Sequence, residues 1–580
     1  MSQYLAVVDT SGIQPYIFNG NRMRENIGAS SLVALATREW ALDALPTPNN
    51  VHRPQGGGDV TLSPGGEGLA AQVVCAAGGN VVVIFQSEDA SRKFAQNLSR
   101  FALERAPGLR LIVARVPFCG TDSFHDQLKE AFTDLNRKKR AAVYDQPLLG
   151  VGPTVMCRWT GFPATGIVKS AGEDDPGYPA SPETLAKSRA GQPGTGAADV
   201  RLRKDFLGLP SMRTGPFTFP SKFDDLGGTE GEANYIAVVH ADGNGMGDRI
   251  RRITKEVGQG EDAAAKLTEF SEALALKSLQ ALQTTVARLA RSARRHPPES
   301  GGWIVPHPVH SGVPPVSLRR DKNASSRTFH LPMRPLVFGG DDVTFVCDGR
   351  LGISLAIAYL EAFEAATADL SNDDDPVTAC AGVAIVATHY PFAQAYTLAE
   401  ELCSSAKKYH RELLEEHGGR PTSAIDWHFT TGGLYGSLAA IRQREYQFES
   451  DAESLALRPL ALQNDEADRV GRSWARLRTA VDAFQSEEWQ SQRNKLKALL
   501  ATMSRSKDPK EIEAFRMRYL GTDQLPDLCL PETAGNYRDD AWIMDDSIMT
   551  QPIQRNVYFD AAEAVDWFIP LAETGASDAT

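Results

Sequence analysis

The chain has 580 residues, 42% hydrophobic and 23% charged, and a formal net charge of −12. These values predict a soluble globular protein of several domains, and no apolar run approaches the roughly eighteen residues needed to cross a bilayer. The negative balance disfavours a main role in gripping duplex nucleic acid through its phosphates.

Seven cysteines occur without a Cys-x-x-Cys pair, which suits a reducing compartment and argues against a disulfide framework or a complete zinc site. The opening MSQYLAVVDTSG has no basic stretch followed by an apolar one, so no signal peptide is expected. The expected location is the cytoplasm, with no membrane partner.

Taken in order, YLAVVDTSG (4–12) reads as a strand opening into a glycine turn, and VVCAAGGNVVVIF (73–85) as a tight hairpin. The basic runs NRKKR (136–140), DRIRR (248–252) and ARSARR (290–295) read as solvated helix faces. A Gly/Pro-rich linker includes AGQPGTGAAD (190–199). YIAVVHADG (235–243) then repeats the first strand, and PLVFGGDDVTFVC (335–347) repeats the hairpin. Two elements recurring in one order predict a duplicated domain. The alignment sets Ser11 opposite Asp242, Asn80 opposite Asp341 and Val81 opposite Asp342, so the first copy has the architecture without the acids.

The second copy continues with a helix over 262–292, a long irregular insertion from His296 to Arg334, the hairpin, a helix over 351–370 and the acidic run SNDDDP (371–376). A buried strand over 377–391 and a helix over 392–417 follow. Strand, helix, hairpin, helix, strand is the split βαβ plan of a ferredoxin-like domain. The remainder, with VGRSWARLRTAVDAF and NKLKALLATM, reads as helical.

In that plan the first strand and the hairpin are sheet neighbours, which would bring Asp242 beside Asp341 and Asp342. Three converging carboxylates repel and raise one another's pKa. Mg²⁺ or Mn²⁺ would resolve the conflict and bring substrate phosphates with it. Two such metals activate an attacking hydroxyl and stabilise a leaving pyrophosphate. Gly243 and Gly245 after Asp242, and Gly339 and Gly340 before the acid pair, would let backbone amides approach a triphosphate. Lys407 would reach phosphate oxygens from the last helix. An ordinary solvated turn explains an Asp pair alone, but not the third aspartate on the neighbouring strand.

At these residues the sequence resembles the polymerase-like large subunit of type III CRISPR effector complexes. HADGNGMGD, FGGDD, AGVAIV with Pro391, AEELCSSAKK and AIDWHF (424–429) are similar to its second palm domain. SGIQPYIFNGNRMRENIGASSLV (11–33) and AAGGN (76–80) resemble its degenerate first palm.

The resemblance implies an α+β fold of two ferredoxin-like palms: a degenerate first palm (1–115), a linking domain (116–230), a catalytic palm with the GGDD hairpin (231–430) and a helical C-terminal domain (431–580). It also implies conversion of ATP, or another NTP, to cyclic oligonucleotides in antiviral defence. Asp242, Asp341 and Asp342 would hold the metals, Lys407 would contact triphosphate, and CRISPR-type protein subunits and RNA would be partners. GGDEF diguanylate cyclases share the palm plan, but paired palms and an Asp-Asp hairpin point away from them.

The sequence departs from the family pattern in several places. Asn244 stands where an aspartate is common, placing it beside the metal or nucleotide with one carboxylate fewer. The family's zinc element has Thr160 in CRWTGFPA (157–164) where a second cysteine is expected, so no zinc is expected. His125-Asp126 lacks the partners of an HD nuclease site, and a stand-alone relative without that domain is expected. Two other readings are a nucleotide-binding or scaffolding subunit without turnover, and a template-dependent polymerase, against which the lack of an extended basic groove counts.

Overall fold

The computed structural model describes residues 2–572 except 55–59, 67, 78, 142–151, 170–175, 214, 229–233, 257–259, 297–300, 323–326, 372–374, 418–420, 431–436, 449–452, 464–470, 507, 520–524, 527–541 and 546–552. It divides into two compact units. One comprises Met1–Phe206, Gly245–Leu279 and Leu336–Val343. The other comprises Leu207–Asn244, Gln280–Pro335 and Thr344–Thr580.

The first unit is built on four strands, β1 (Gln3–Ser11), β2 (Ala71–Ala77), β3 (Asn80–Phe85) and β4 (Arg110–Phe118), in the order β2-β3-β1-β4. All neighbours are antiparallel, with Val7 opposite Val82 and Asp9 opposite Asn80. The strands read as unbroken apolar runs because both faces are covered. Leu5, Val7, Val82, Ile84 and Val116 pack with Phe124, Leu128 and Leu135 of a helix over Phe124–Ala141, and with Ala263, Ala264 and Leu267. On the other face Phe85 meets Phe94 of the helix Glu88–Arg105, ring centroids 5.2 Å apart. β4 runs to Phe118, so the first sheet and its covering helix extend past the boundary expected at 115.

Chain-order labels for the helices of this unit are α1 (Met23–Ala34), α2 (Glu88–Arg105), α3 (Phe124–Ala141), α4 (Pro182–Ala190) and α5 (Ala197–Leu202). α1 and α4 cross at glycine distance. A Cβ on Gly28 would lie 1.8 Å from the Lys187 carbonyl oxygen, and one on Gly191 would lie 1.9 Å from that of Arg24. No side chain fits at either position.

The second unit carries a six-stranded sheet of β5 (Tyr235–Gly243), β6 (Met333–Val337), β7 (Val343–Asp348), β8 (Ala379–Ala387), β9 (Ala424–Phe429) and β10 (Leu460–Ala461), ordered β6-β7-β5-β8-β9-β10. Its first four positions repeat the order of the first sheet: hairpin strands, then first strand, then last strand. β5 and β8 are antiparallel, and β9 adds in parallel to β8. Helices α6 (Met246–Glu256) and the start of α7 (Gly260–Ser292), which belong to the first unit, match the helical segments read from the sequence, as do α8 (Gly352–Ala366) and α9 (Phe392–His417).

Two expectations change. The stretch His296–Arg334 is not simply irregular. Arg294–Arg295, Trp303–Val305 and Val316–Ser317 form a small sheet, and Phe329–His330 pairs in parallel with Phe217–Thr218. Strands of two or three residues flanked by prolines are too short to display alternation. The C-terminal region, expected to be helical, has the helices Trp474–Gln485, Arg493–Arg505 and Pro509–Tyr519. It also has a three-stranded sheet of Glu453–Ser454, Ile553–Asn556 and Trp542–Asp545. Buried ion pairs knit this region: Arg472 to Asp545 at 2.9 Å and Arg458 to Glu563 at 2.7 Å. Such long-range pairings leave no local signal. Among the described residues no helix is long and apolar enough to cross a membrane.

Candidate active site

Asp242 lies at the end of β5, one residue before the strand gives way to the turn that opens α6. Lys407, on α9, donates from Nζ to Asp242 Oδ2 at 2.6 Å and to the Gly243 carbonyl oxygen at 2.9 Å. Both side chains are about a third exposed or less, at 26% for Lys407 and 36% for Asp242. Burial opposes the lysine charge, yet the Asp242 carboxylate outweighs it and holds the Lys407 pKa above its ordinary value. Lys407 is therefore charged at neutral pH, and its side of the pair is lost only as pH rises through that raised value. A cation already sits on one of the three carboxylates proposed from the sequence, and it comes from the chain itself.

Two further contacts frame this end of β5. His240, two residues before Asp242, shares a hydrogen bond with Thr344 of β7 (Nδ1 to Oγ1, 3.2 Å), and Thr344 is two residues after Asp342. Asn244 donates from its backbone to the Thr378 carbonyl oxygen at 2.8 Å and from Nδ2 to Thr378 Oγ1 at 3.0 Å. It thus fastens the turn after β5 to the start of β8.

Gly339, Gly340, Asp341 and Asp342 form the turn between β6 and β7, with both aspartates half-buried. This turn belongs to the segment Leu336–Val343, which packs within the first unit, as does Gly245. Arg201 of α5 holds it: Nη2 donates to the Phe338 carbonyl oxygen at 2.8 Å, and the guanidinium lies over the Phe338 ring, 4.0 Å from its centroid. Phe206 meets the same ring edge-on at 5.5 Å, and Asp205 pairs with Arg201 at 3.6 Å. Ser30 of α1 donates to the Leu336 carbonyl oxygen. Gly339 has φ +111°, and a Cβ there would lie 2.8 Å from Arg201 Nη2, so glycine is required on two grounds.

The expected residues therefore gather in two groups, one in each unit: Asp242, Gly243, Asn244 and Lys407 at the end of β5, and the Gly-Gly-Asp-Asp turn. Sequence reasoning missed Arg201, Phe206 and Ser30. An arginine in a short polar helix carries no signal of the turn it grips more than a hundred residues later.

Among the described residues one group has ligand atoms close enough to share a metal: His307, His310 and Asp482, within 4.8 Å of one another. His307 is committed elsewhere, its Nδ1 accepting from the backbone N–H groups of Val309 and His310 and its Nε2 facing Gln485 Oε1 at 3.1 Å. Burial, with His310 beside it, lowers its pKa to about 4.

Residues 235–414 match the family model described as Cas10/Cmr2, second palm domain. This part of the chain is similar to a Cas10 palm. The matched stretch begins at β5 and ends within α9, so it contains the end of β5, the Gly-Gly-Asp-Asp turn and Lys407.

Among solved structures, the chain is similar to an apo Csm1–Csm4 cassette at TM-score 0.50 and 12% identity, covering 97% of this chain and 70% of that one. A Csm1–Csm4 cassette in complex with cA4 is similar at TM-score 0.48 and 14% identity, covering 97% and 69%. One in complex with one ATP is similar at TM-score 0.47 and 12% identity, covering 98% and 70%. At such identities the likeness is one of fold. No curated protein sequence matches the chain.

Proposed function

We propose that this Cas10-like chain is a divalent-metal-dependent nucleotidyltransferase that joins ATP, or another NTP, into a cyclic or short oligonucleotide signal with release of pyrophosphate. The observation that carries the reading is the match of residues 235–414 to the Cas10/Cmr2 second palm, with an Asp-Asp pair on the turn that opens β7 and a third aspartate ending its sheet neighbour β5.

Asp242, Asp341 and Asp342 would hold Mg²⁺ or Mn²⁺. The donor set suits a hard cation, being carboxylate oxygen, and Asp242 already accepts an ammonium group. When bound, such a metal lowers the pKa of an attacking 3′-hydroxyl and neutralises charge on the departing pyrophosphate. The protein's own share is placement. Arg201 and Phe206 fix the turn, Asn244 fixes the strand end, and Lys407 orients Asp242 and offers a positive charge toward phosphate. Catalysis of this class rests mostly on positioning and charge.

The two-palm arrangement, with the first sheet as the degenerate partner, belongs to the same reading, and the shared strand order supports it. CRISPR-type protein subunits, as in the Csm1–Csm4 assemblies, and RNA are the proposed partners. The alternative is a nucleotide-binding scaffold without turnover, which Asn244 favours by serving as a structural latch where a further carboxylate would bind metal.

The test is to incubate the protein with Mg²⁺ and each NTP, alone and mixed, with and without added RNA, and to analyse products by mass spectrometry. Oligonucleotide and pyrophosphate, absent from an Asp341→Ala/Asp342→Ala variant, are expected. Nucleotide binding with no product under any of these conditions selects the scaffold.

A further inference from the structure

Two short segments of the first unit meet through four small polar side chains. Cys157 and Thr160 end the tetrapeptide Cys-Arg-Trp-Thr, and Ser181 and Thr184 end Ser-Pro-Glu-Thr. Thr160 Oγ1 donates to Ser181 Oγ at 3.0 Å, and Ser181 Oγ lies 3.3 Å from Thr184 Oγ1. Cys157 Sγ closes the group, 3.3 Å from Thr184 Oγ1.

Each segment is folded to present these atoms. In the first, Cys157 accepts from the Gly161 N–H at 3.0 Å and donates to the Phe162 carbonyl oxygen at 2.8 Å, while Thr160 Oγ1 accepts from the Phe162 N–H at 3.3 Å. In the second, Ser181 caps α4 by accepting from the Thr184 N–H at 3.4 Å. Cys157, Ser181 and Thr184 are 1%, 1% and 2% exposed.

Two pairs of side chains, each spaced by two residues and converging on one point, are the frame of a structural zinc site, in which four thiolates or imidazoles surround the ion tetrahedrally. Here one of the four is a thiol. Neutral hydroxyls are not zinc ligands of that class, so the residues present do not fit the metal. They do something four thiolates cannot, which is to hydrogen-bond one another. Burial drives the Cys157 thiol pKa up, but hydrogen bonds from Thr184, the Ser181 backbone and Thr160 outweigh it and bring it down to about 6. The sulfur lies at the end of the network, 3.3 Å from Thr184 Oγ1.

We propose that Cys157, Thr160, Ser181 and Thr184 form a metal-free cross-link built on the frame of a four-ligand zinc site, so that this unit folds without metal and gains a zinc site when the three hydroxyls become thiols. The cross-link fixes the first turn of α4, whose C-terminal end is the one packed at glycine distance on α1. The inference is independent of the proposed catalytic function.

The experiment uses the full chain. Wild type, dialysed against a chelator, is expected to hold no zinc and to keep its Tm. The Thr160→Cys/Ser181→Cys/Thr184→Cys variant is expected to bind one Co²⁺ per chain with the strong visible absorption of a tetrahedral thiolate site, and to lose Tm on chelation. Adding Cys157→Ser to that variant should shift and weaken the absorption. Thr184→Val, which removes one hydroxyl at constant shape, should lower the wild-type Tm by a few degrees. Stoichiometric zinc in wild type, a triple variant that takes up no Co²⁺ or fails to fold with zinc present, or an unchanged Tm in Thr184→Val would each overturn the proposal.

Discussion

The two sheets share more than strand order. In the first, Asp9 of β1 pairs with Lys139 of α3; in the second, Asp242 of β5 pairs with Lys407 of α9. Each lysine lies on the helix that follows the fourth strand. Lys139 comes fifteen residues after Phe124, which opens α3, and Lys407 comes fifteen after Phe392, which opens α9. The aspartates are offset by two positions in the strand alignment, since Asp9 stands opposite His240. Two residues along a strand is the same face. The pair thus recurs in both sheets, whether or not the hairpin turn carries acids. What separates the copies is the turn: Asn80 and Val81 in one, Asp341 and Asp342 in the other. Chemistry particular to the second copy should therefore follow the turn more closely than it follows the lysine.

That difference can be broken by substitution. Asp341→Ala/Asp342→Ala should take product formation to background with an unchanged Tm, whereas Ser11→Ala and Asn80→Ala in the first sheet should leave turnover within about twofold, since surface polar substitutions away from chemistry are near neutral. A stability effect comes next, confined to the first unit. Glu25 on α1 is buried, which raises its pKa from 4.5 to about 7 despite Arg22 and Lys187 nearby, and the Tyr178 hydroxyl donates to it.

An acid whose folded pKa lies above its unfolded value stabilises the fold below pH 4.5 and loses that contribution as pH rises to about 7. The loss is of order 3 kcal/mol at about 1.4 kcal/mol per pH unit. Glu25→Gln should flatten the slope and raise the first-unit Tm above pH 7, read by calorimetry at several pH values.

Arg201→Met should cost turnover at unchanged nucleotide affinity, as expected for loosening a charge-assisted hydrogen bond of about 1.5–3 kcal/mol, and should weaken Mn²⁺ binding read by electron paramagnetic resonance. Smallest of all, Lys139→Met should lower stability through a partly buried pair by about 1 kcal/mol or less and leave turnover intact. Lys407→Met should cost as much stability and should also lower turnover. Equal effects of the two lysine changes on turnover would break the distinction drawn between the copies.

Much of this was legible in the sequence where the signal was local. The helix over 392–417 has the ends read from the sequence, and the glycine-turn hairpins mark themselves. The strand pair YLAVVDTSG and YIAVVHADG pointed to the shared strand order of the two sheets, but a further correspondence, Lys139 with Lys407, was hidden because only the helices' starting points align them. The residues around the turn were illegible for another reason. Arg201 and Ser30 reach Phe338 and Leu336 across 137 and 306 positions, and nothing in a one-dimensional pattern encodes such partners.

The interleaving of the two units in the chain has a practical consequence for dissecting the protein. Cleavage after Phe206 would leave an amino-terminal fragment without Ala263, Ala264 and Leu267, which help fill its apolar interior, and without Thr254, which faces His125 at 3.1 Å. Such a fragment would expose a bare hydrophobic seam and aggregate. The boundaries that look natural on a linear map are therefore poor places to cut. Expressing the halves separately would require a circular permutation or a linker rejoining the three excursions of the chain.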